Sequence, residues 1–140
     1  MRIILDTSAL IALRRKDAKV ERALKTLRDT AEEIGISRLT EYGLRLGGNY
    51  LWKKYWEARE LAWLDEILDW LTIYDVDEGV VRDAVEVRAE RLSKGKHFLD
   101  LDLLIALSEK SGSELVTFDE DQEKMKDTLK RKGVSIHALL

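Results

Sequence analysis

The chain has 140 residues, the size of one domain, and 45% are hydrophobic, with 4 Trp, 4 Tyr and 2 Phe, so a packed core is expected and general disorder is excluded. Its 24 Lys and Arg against 27 Asp and Glu leave a formal net charge of -3, which excludes a uniformly basic surface gripping nucleic acid by charge alone but allows a local basic patch. The absence of Cys excludes a disulfide framework, a thiolate nucleophile and a Cys-type zinc site, and suits a cytoplasmic location.

Arg2-Ile3-Ile4-Leu5 is a short, branched, nearly continuous apolar run, the pattern of a strand buried on both faces of a parallel sheet. The apolar stretch around it is too short to span a bilayer, so neither export nor membrane insertion is expected. Asp6, Thr7 or Ser8 can cap a helix running to about Arg15, and a charged helix follows from about Asp17 to Glu32 with Val20, Leu24 and Leu27 on one stripe. Ile34 to Ser37 reads as a second strand. From about Thr40 the pattern is helical again, with an interruption expected near Gly47-Gly48 and a long run from about Leu51 to Trp70.

Leu71 to Val76 is β-branched and alternating, a third strand. A helix from Gly79 to Leu92 is closed by Ser93-Lys94-Gly95-Lys96. Asp100 or Asp102 can cap the next, which holds Leu103 to Leu107 and ends at Ser111-Gly112. Glu114 to Thr117 is a fourth strand, Gln122 to Lys132 a final helix, and Val134 to Ile136 a last strand. Strands separated by helices, with no tight hairpin signal, predict one α/β domain over residues 1–140: a mainly parallel sheet of about four to five strands with helices on both faces.

In such sheets ligands sit at the carboxyl ends of the strands, so the acids there are the residues to weigh. Asp6 follows the first strand, Asp119 and Asp121 follow the fourth, and Asp100 and Asp102 stand where the chain enters a helix. Clustered carboxylates raise one another's pKa unless a cation neutralises them, which hard, oxygen-liking Mg²⁺ or Mn²⁺ does well. Taken singly, each Asp is better explained as a helix N-cap; recurrence at one sheet edge carries the functional case.

These residues resemble the PIN-domain ribonucleases, best represented by the VapC toxins of prokaryotic toxin-antitoxin pairs. Ile4-Leu5-Asp6-Thr7-Ser8-Ala9-Leu10-Ile11 resembles the family's first strand with its metal-binding Asp, Asp102-Leu103-Leu104-Ile105-Ala106 its central motif, and Leu115-Val116-Thr117-Phe118-Asp119-Glu120-Asp121 its closing strand and acidic turn. The resemblance covers essentially the whole chain. It implies a PIN-like fold and a Mg²⁺- or Mn²⁺-dependent endoribonuclease, with Asp6 and Asp102 as primary ligands and Glu41 and Asp119 completing the shell through water. Asp119 fits the family's Thr-x-Asp pattern better than Asp121, which stays a candidate ligand. Thr7, Ser8 or Thr117 would orient the carboxylates. An antitoxin protein and an RNA substrate are the implied partners.

One position departs from the family. Its Glu on the helix after the second strand stands about three residues after a Thr; here that place holds Gly43, while Glu41 lies two residues earlier, about 200 degrees round the helix. Either the helix starts differently and Glu41 serves, or the second acid is missing and the chain is a degenerate module that binds RNA or protein without cutting.

His97 and His137 are the only histidines, read as ordinary surface or loop residues. Trp52, Trp56, Trp63 and Trp70 recur along one helical stretch; core packing is the plainer reading, and a homodimer interface or antitoxin groove the functional one. Arg14, Arg15, Lys16, Lys19 and Arg22 form one basic segment and Arg38, Arg45, Lys53 and Lys54 another, either solvated faces or RNA phosphate contacts.

Overall fold

The computed structural model of the chain describes residues 1–96, 100–109 and 112–139. Five strands, β1 (Arg2–Leu5), β2 (Glu33–Ser37), β3 (Thr72–Tyr74), β4 (Ser113–Thr117) and β5 (Val134–Ala138), form one sheet in the order β3-β2-β1-β4-β5, and every pairing is parallel. The described residues also form α1 (Thr7–Arg14), α2 (Ala18–Arg28), α3 (Arg38–Tyr55), α4 (Arg59–Leu68), α5 (Glu78–Ser93), α6 (Asp100–Ala106), α7 (Glu120–Lys124) and α8 (Lys126–Arg131). This is the predicted α/β architecture.

Alternation along the strands divides the interior in two, because successive side chains point to opposite faces. Ile4 and Leu115 face one core with Val80, Val87, Leu103, Leu107, Met125 and Leu129. Ile3, Leu5 and Val116 face the other with Leu10, Val20, Ile36 and Ile67. Both faces are covered by helices, so β1 carries three consecutive buried apolar residues, Ile3, Ile4 and Leu5, and β4 buries Leu115 and Val116 side by side.

Three boundaries differ from expectation. The helix after β2 runs unbroken from Arg38 to Tyr55 through Gly47 and Gly48. Gly48 serves packing there, since a Cβ on it would stand 2.9 Å from Leu61 Cδ2 on α4. The break comes at Trp56, whose left-handed φ of 55° turns the chain back into α4. The expected single helix from Gln122 to Lys132 is two short helices that meet at buried Met125. The third strand shortens to Thr72–Tyr74.

Because all strands are parallel, their carboxyl ends share one edge. The chain leaves β1 toward β2 on one side, while β4 pairs on the other, so a crevice opens between the ends of β1 and β4. The candidate acids meet there.

Candidate metal centre

Asp6 is the first residue past β1, and its backbone N–H donates to Val116 O of β4 at 3.2 Å, continuing the ladder by one step. The side chain caps α1: Oδ1 accepts from Ala9 N at 2.9 Å and from Ser8 Oγ at 2.6 Å. Thr117 Oγ1, at the end of β4, donates to Oδ2. The carboxyl is only 5% exposed, and burial pushes its pKa up. Hydrogen bonds from Ser8, Thr117 and Ala9 work against that rise, and the charge of Asp119 adds to it.

Asp102 reaches the same edge from α6. Leu103, Ile105 and Ala106 bury the inner side of that helix, and just beyond it Ser108 Oγ donates to Ser37 Oγ at 2.8 Å, at the junction of β2 and α3. Gln122, wholly buried under α7, donates from Nε2 to the Asp102 carbonyl at 2.9 Å. The Asp102 carboxyl is pushed up to about 6, first by burial and then by the charges of Asp119, Asp6 and Asp121, with a hydrogen bond shared with Asp119 adding to the rise. Asp119 caps α7, its Oδ1 accepting from Asp121 N at 2.8 Å, and its own N–H donates to Thr117 Oγ1 at 2.9 Å.

Asp6, Asp102 and Asp119 are therefore brought together. Asp121 contributes charge from an exposed position and lies 3.9 Å from Lys124 Nζ. Glu41 is placed otherwise: Oε1 accepts from Arg38 at 2.6 Å and Oε2 from Arg45 at 3.1 Å, both on its own helix. Burial raises the pKa of this carboxyl, but the two guanidiniums outweigh burial and hold it below the usual range. Arg38 is tied in turn to Asp75 at 2.7 Å. Gly43 lies three residues beyond Thr40, whose Oγ1 is 3.2 Å from Thr7 Oγ1 beside Asp6, and a Cβ on Gly43 would meet nothing within 4 Å.

Among the described residues no three acidic or histidine side chains are already arranged as a metal-holding group. The donor chemistry nonetheless fits a hard divalent cation: carboxylate oxygens from three chain segments, held in mutual repulsion at one crevice. His97 lies outside the described residues, and His137 stands on β5, 3.6 Å from Glu114.

Sequence reasoning missed Gln122, the Ser37–Ser108 tie and a pocket beside the acids lined by Ser8, Ile11, Ala12, Arg15, Asp17 and Phe118. No sequence signal marks them, since each depends on segments far apart in the chain. A second, almost wholly apolar groove lies between α5 and α6, lined by Val81, Val85, Leu92 and Leu104 among others; its one acid is Asp100, which pairs with Arg88.

The family model that matches this chain is described as PIN domain and covers residues 3–127. Among solved structures, a chain of the VapBC2 structure from Rickettsia felis, bound to a DNA fragment from their promoter, is 23% identical with a TM-score of 0.76, over 99% of this chain and 98% of that one. A chain of the DNA-bound VapBC structure from Salmonella typhimurium is 21% identical with a TM-score of 0.74, over 100% and 99%. A chain of VapBC-5 from Mycobacterium tuberculosis, a member of the VapBC family of toxin-antitoxin systems, is 23% identical with a TM-score of 0.71, over 98% of each. At these identities the likeness is one of fold. Comparison with curated proteins gives no match.

Proposed function

This chain belongs to the PIN domain family, and on that premise we propose that it is a Mg²⁺- or Mn²⁺-dependent endoribonuclease, the toxin of a VapBC-type pair. The observation that supports the chemistry best is the Asp102 carboxyl, raised to about 6 by burial and by three neighbouring aspartates at the switch point of a parallel sheet. Four like charges at one crevice are costly, and a divalent cation offsets that cost. The toxin assignment draws support from the structural relatives, which come from toxin-antitoxin complexes. An antitoxin partner and a cytoplasmic setting follow from the same reading. No helix among the described residues is long and apolar enough to cross a membrane.

Asp6 and Asp102 would hold the cation directly, and Asp119 through water. A divalent cation held there would supply an acidified water and positive charge to the phosphodiester chemistry. Ser8, Thr117 and the Ala9 N–H fix the Asp6 carboxylate, so its free lone pairs keep one orientation. Gln122 holds the first turn of α6 and with it Asp102. Arg15, exposed at the end of α1, supplies a cation for a flanking phosphate, while its neighbour Arg14 is paired with Glu60.

The test is calorimetric titration of Mn²⁺ into the wild type, Asp6→Asn and Asp102→Asn, with RNA cleavage followed in parallel. Both variants are expected to stay folded, lose heat of binding and stop cutting. Unchanged binding in Asp102→Asn would sink the assignment. A second reading, the binding module that does not cut, is favoured by one arrangement: Glu41 is engaged by two arginines while Gly43 carries no side chain. RNA binding without cleavage in Mn²⁺ would establish it.

A further inference from the structure

Beside the acids lies a pocket of about 520 Å³, within the range of small-ligand sites, lined by Ser8, Ile11, Ala12, Arg15, Asp17 and Phe118. Its distance from the reacting centre is set by hydrogen bonds. Phe118 N–H donates to Ser8 Oγ at 3.1 Å, and the same hydroxyl donates to Asp6 Oδ1 at 2.6 Å. Phe118 also stands in the chain between Thr117 and Asp119, both part of the acidic crevice. A ligand resting in the pocket is thus next to whatever the acids engage.

The polar groups of the lining are of two kinds. Asp17 caps α2 through one oxygen, its Oδ1 accepting from Lys19 N and Val20 N. Arg15 is exposed, makes no ion pair among the described residues, and stands at the C-terminal end of α1. The lining thus offers a ligand an aromatic side chain, two aliphatic ones, the Arg15 cation and the second oxygen of Asp17, an acceptor for a base N–H. That combination suits a flat, neutral ring carrying an anion beside it, which is the make-up of a nucleotide within a single strand.

Resting on the ribonuclease reading, we infer that this pocket is a nucleobase subsite, in which the Phe118 ring stacks on a base next to the scissile phosphate and Arg15 meets the neighbouring phosphate. The subsite favours single-stranded RNA, because a paired base must first be unpaired and unstacked to enter. It also sets the register of the cut, since a base seated on Phe118 fixes which phosphate faces Asp6 and Asp102.

The experiment uses short, fluorescently labelled single-stranded RNAs with an abasic residue moved through successive positions. Binding is measured with Asp102→Asn protein, and KM and kcat with otherwise wild-type protein. The abasic residue is expected to weaken binding about tenfold at one position, the worth of one base–aromatic stack, and to raise KM there more than it lowers kcat. Phe118→Leu, which keeps apolar contact with the core beneath, is expected to erase that position dependence while leaving the melting temperature unchanged. Arg15→Ala is expected to weaken all the RNAs alike and to reduce the salt dependence of binding. Efficient cleavage with no position at which the base matters would overturn the subsite and leave the nuclease standing. So would a Phe118→Leu protein that retains the full abasic penalty. Wild-type protein that neither binds nor cuts any of these RNAs would overturn both, leaving the pocket to a segment of a protein partner.

Discussion

Thr117 and Asp6, 111 residues apart in the chain, are joined by a hydrogen bond from the hydroxyl at the end of β4 to the carboxylate at the end of β1. The same hydroxyl accepts from Asp119 N–H at 2.9 Å, so one oxygen positions two acids across the crevice. Thr117→Val keeps the shape of the side chain and removes both functions. A buried acceptor stripped of its donor costs roughly 1 to 3 kcal/mol, so the urea midpoint is expected to fall by that equivalent at pH 7. Thr117→Ser, which restores the hydroxyl, is expected to recover most of it. Weakened Mn²⁺ binding in the Val variant alone would separate positioning of Asp6 from general stability.

The pH dependence follows from Asp102. Its folded pKa is about 6 against an ordinary 3.8, so the folded protein binds this proton more tightly than the unfolded chain does. Stability from this group is complete below about 4 and is lost as pH rises through about 6. Allowing for partial solvent screening, the loss is on the order of 1 to 2 kcal/mol. Chemical denaturation between pH 4 and 7 in EDTA is expected to show the fall, and Asp102→Asn to flatten it. Saturating Mg²⁺ is expected to reverse it, because the cation takes the proton's place.

How much of this was legible in the sequence depends on the range of the interaction. β1 was readable because burial on both sides leaves an apolar run, Ile3 to Leu5, β4 because Leu115 and Val116 stand between a glycine turn and the acids that follow, and Asp6 because a strand passing straight into a helix needs a capping residue at that point. The Gly47-Gly48 pair misled because a glycine signals equally a chain break or a close helix contact, and only Leu61, thirteen residues after Gly48, decides between them. The turn at Trp56 carried no signal, since a bulky residue is the last choice for a left-handed backbone. Which partners Glu41 takes was open, because Arg38 and Arg45 at i–3 and i+4 compete with any site across the crevice.

Assembly is tested at that same turn. Trp56 is 76% exposed and packs edge-on against Trp52 with centroids 5.3 Å apart, and the neighbouring Tyr55 and Tyr50, which Lys54 overlies, are exposed as well. This aromatic end of the α3–α4 hairpin is expected to be covered in a homodimer. Trp56→Gly is the informative variant: glycine adopts the left-handed backbone without strain, so the fold is expected to be preserved while the ring is lost. Sedimentation at micromolar concentration is expected to give a dimer for the wild type and a shift toward the 16.2 kDa monomer for Trp56→Gly. A wild-type monomer would refute the dimer.

The last prediction concerns position 43. Gly43 and Thr40 are three residues apart on α3 and so share a face, and Thr40 meets Thr7 beside Asp6. Glu41 stands about 200 degrees from Gly43, on the side where Arg38 and Arg45 take both of its oxygens. A Cβ at position 43 meets nothing within 4 Å, and its backbone is ordinary helix, so Gly43→Glu is accommodated and gains about 0.5 kcal/mol of helix propensity. Without metal, an added negative charge near Asp6 and Asp102 is expected to offset that gain and to push the Asp102 pKa higher still. With metal the sign reverses, because a fourth carboxylate is one more ligand for a hard cation. Mn²⁺ affinity is expected to rise about tenfold in Gly43→Glu, the effect of roughly 1.4 kcal/mol, together with the rate of RNA cleavage. Glu41→Gln serves as the control: it releases Arg38 and Arg45 and lowers the urea midpoint, yet leaves Mn²⁺ binding unchanged. Were Glu41→Gln to abolish Mn²⁺ binding while Gly43→Glu did nothing, Glu41 would be the working ligand and its pairing with the two arginines a resting arrangement that the cation displaces.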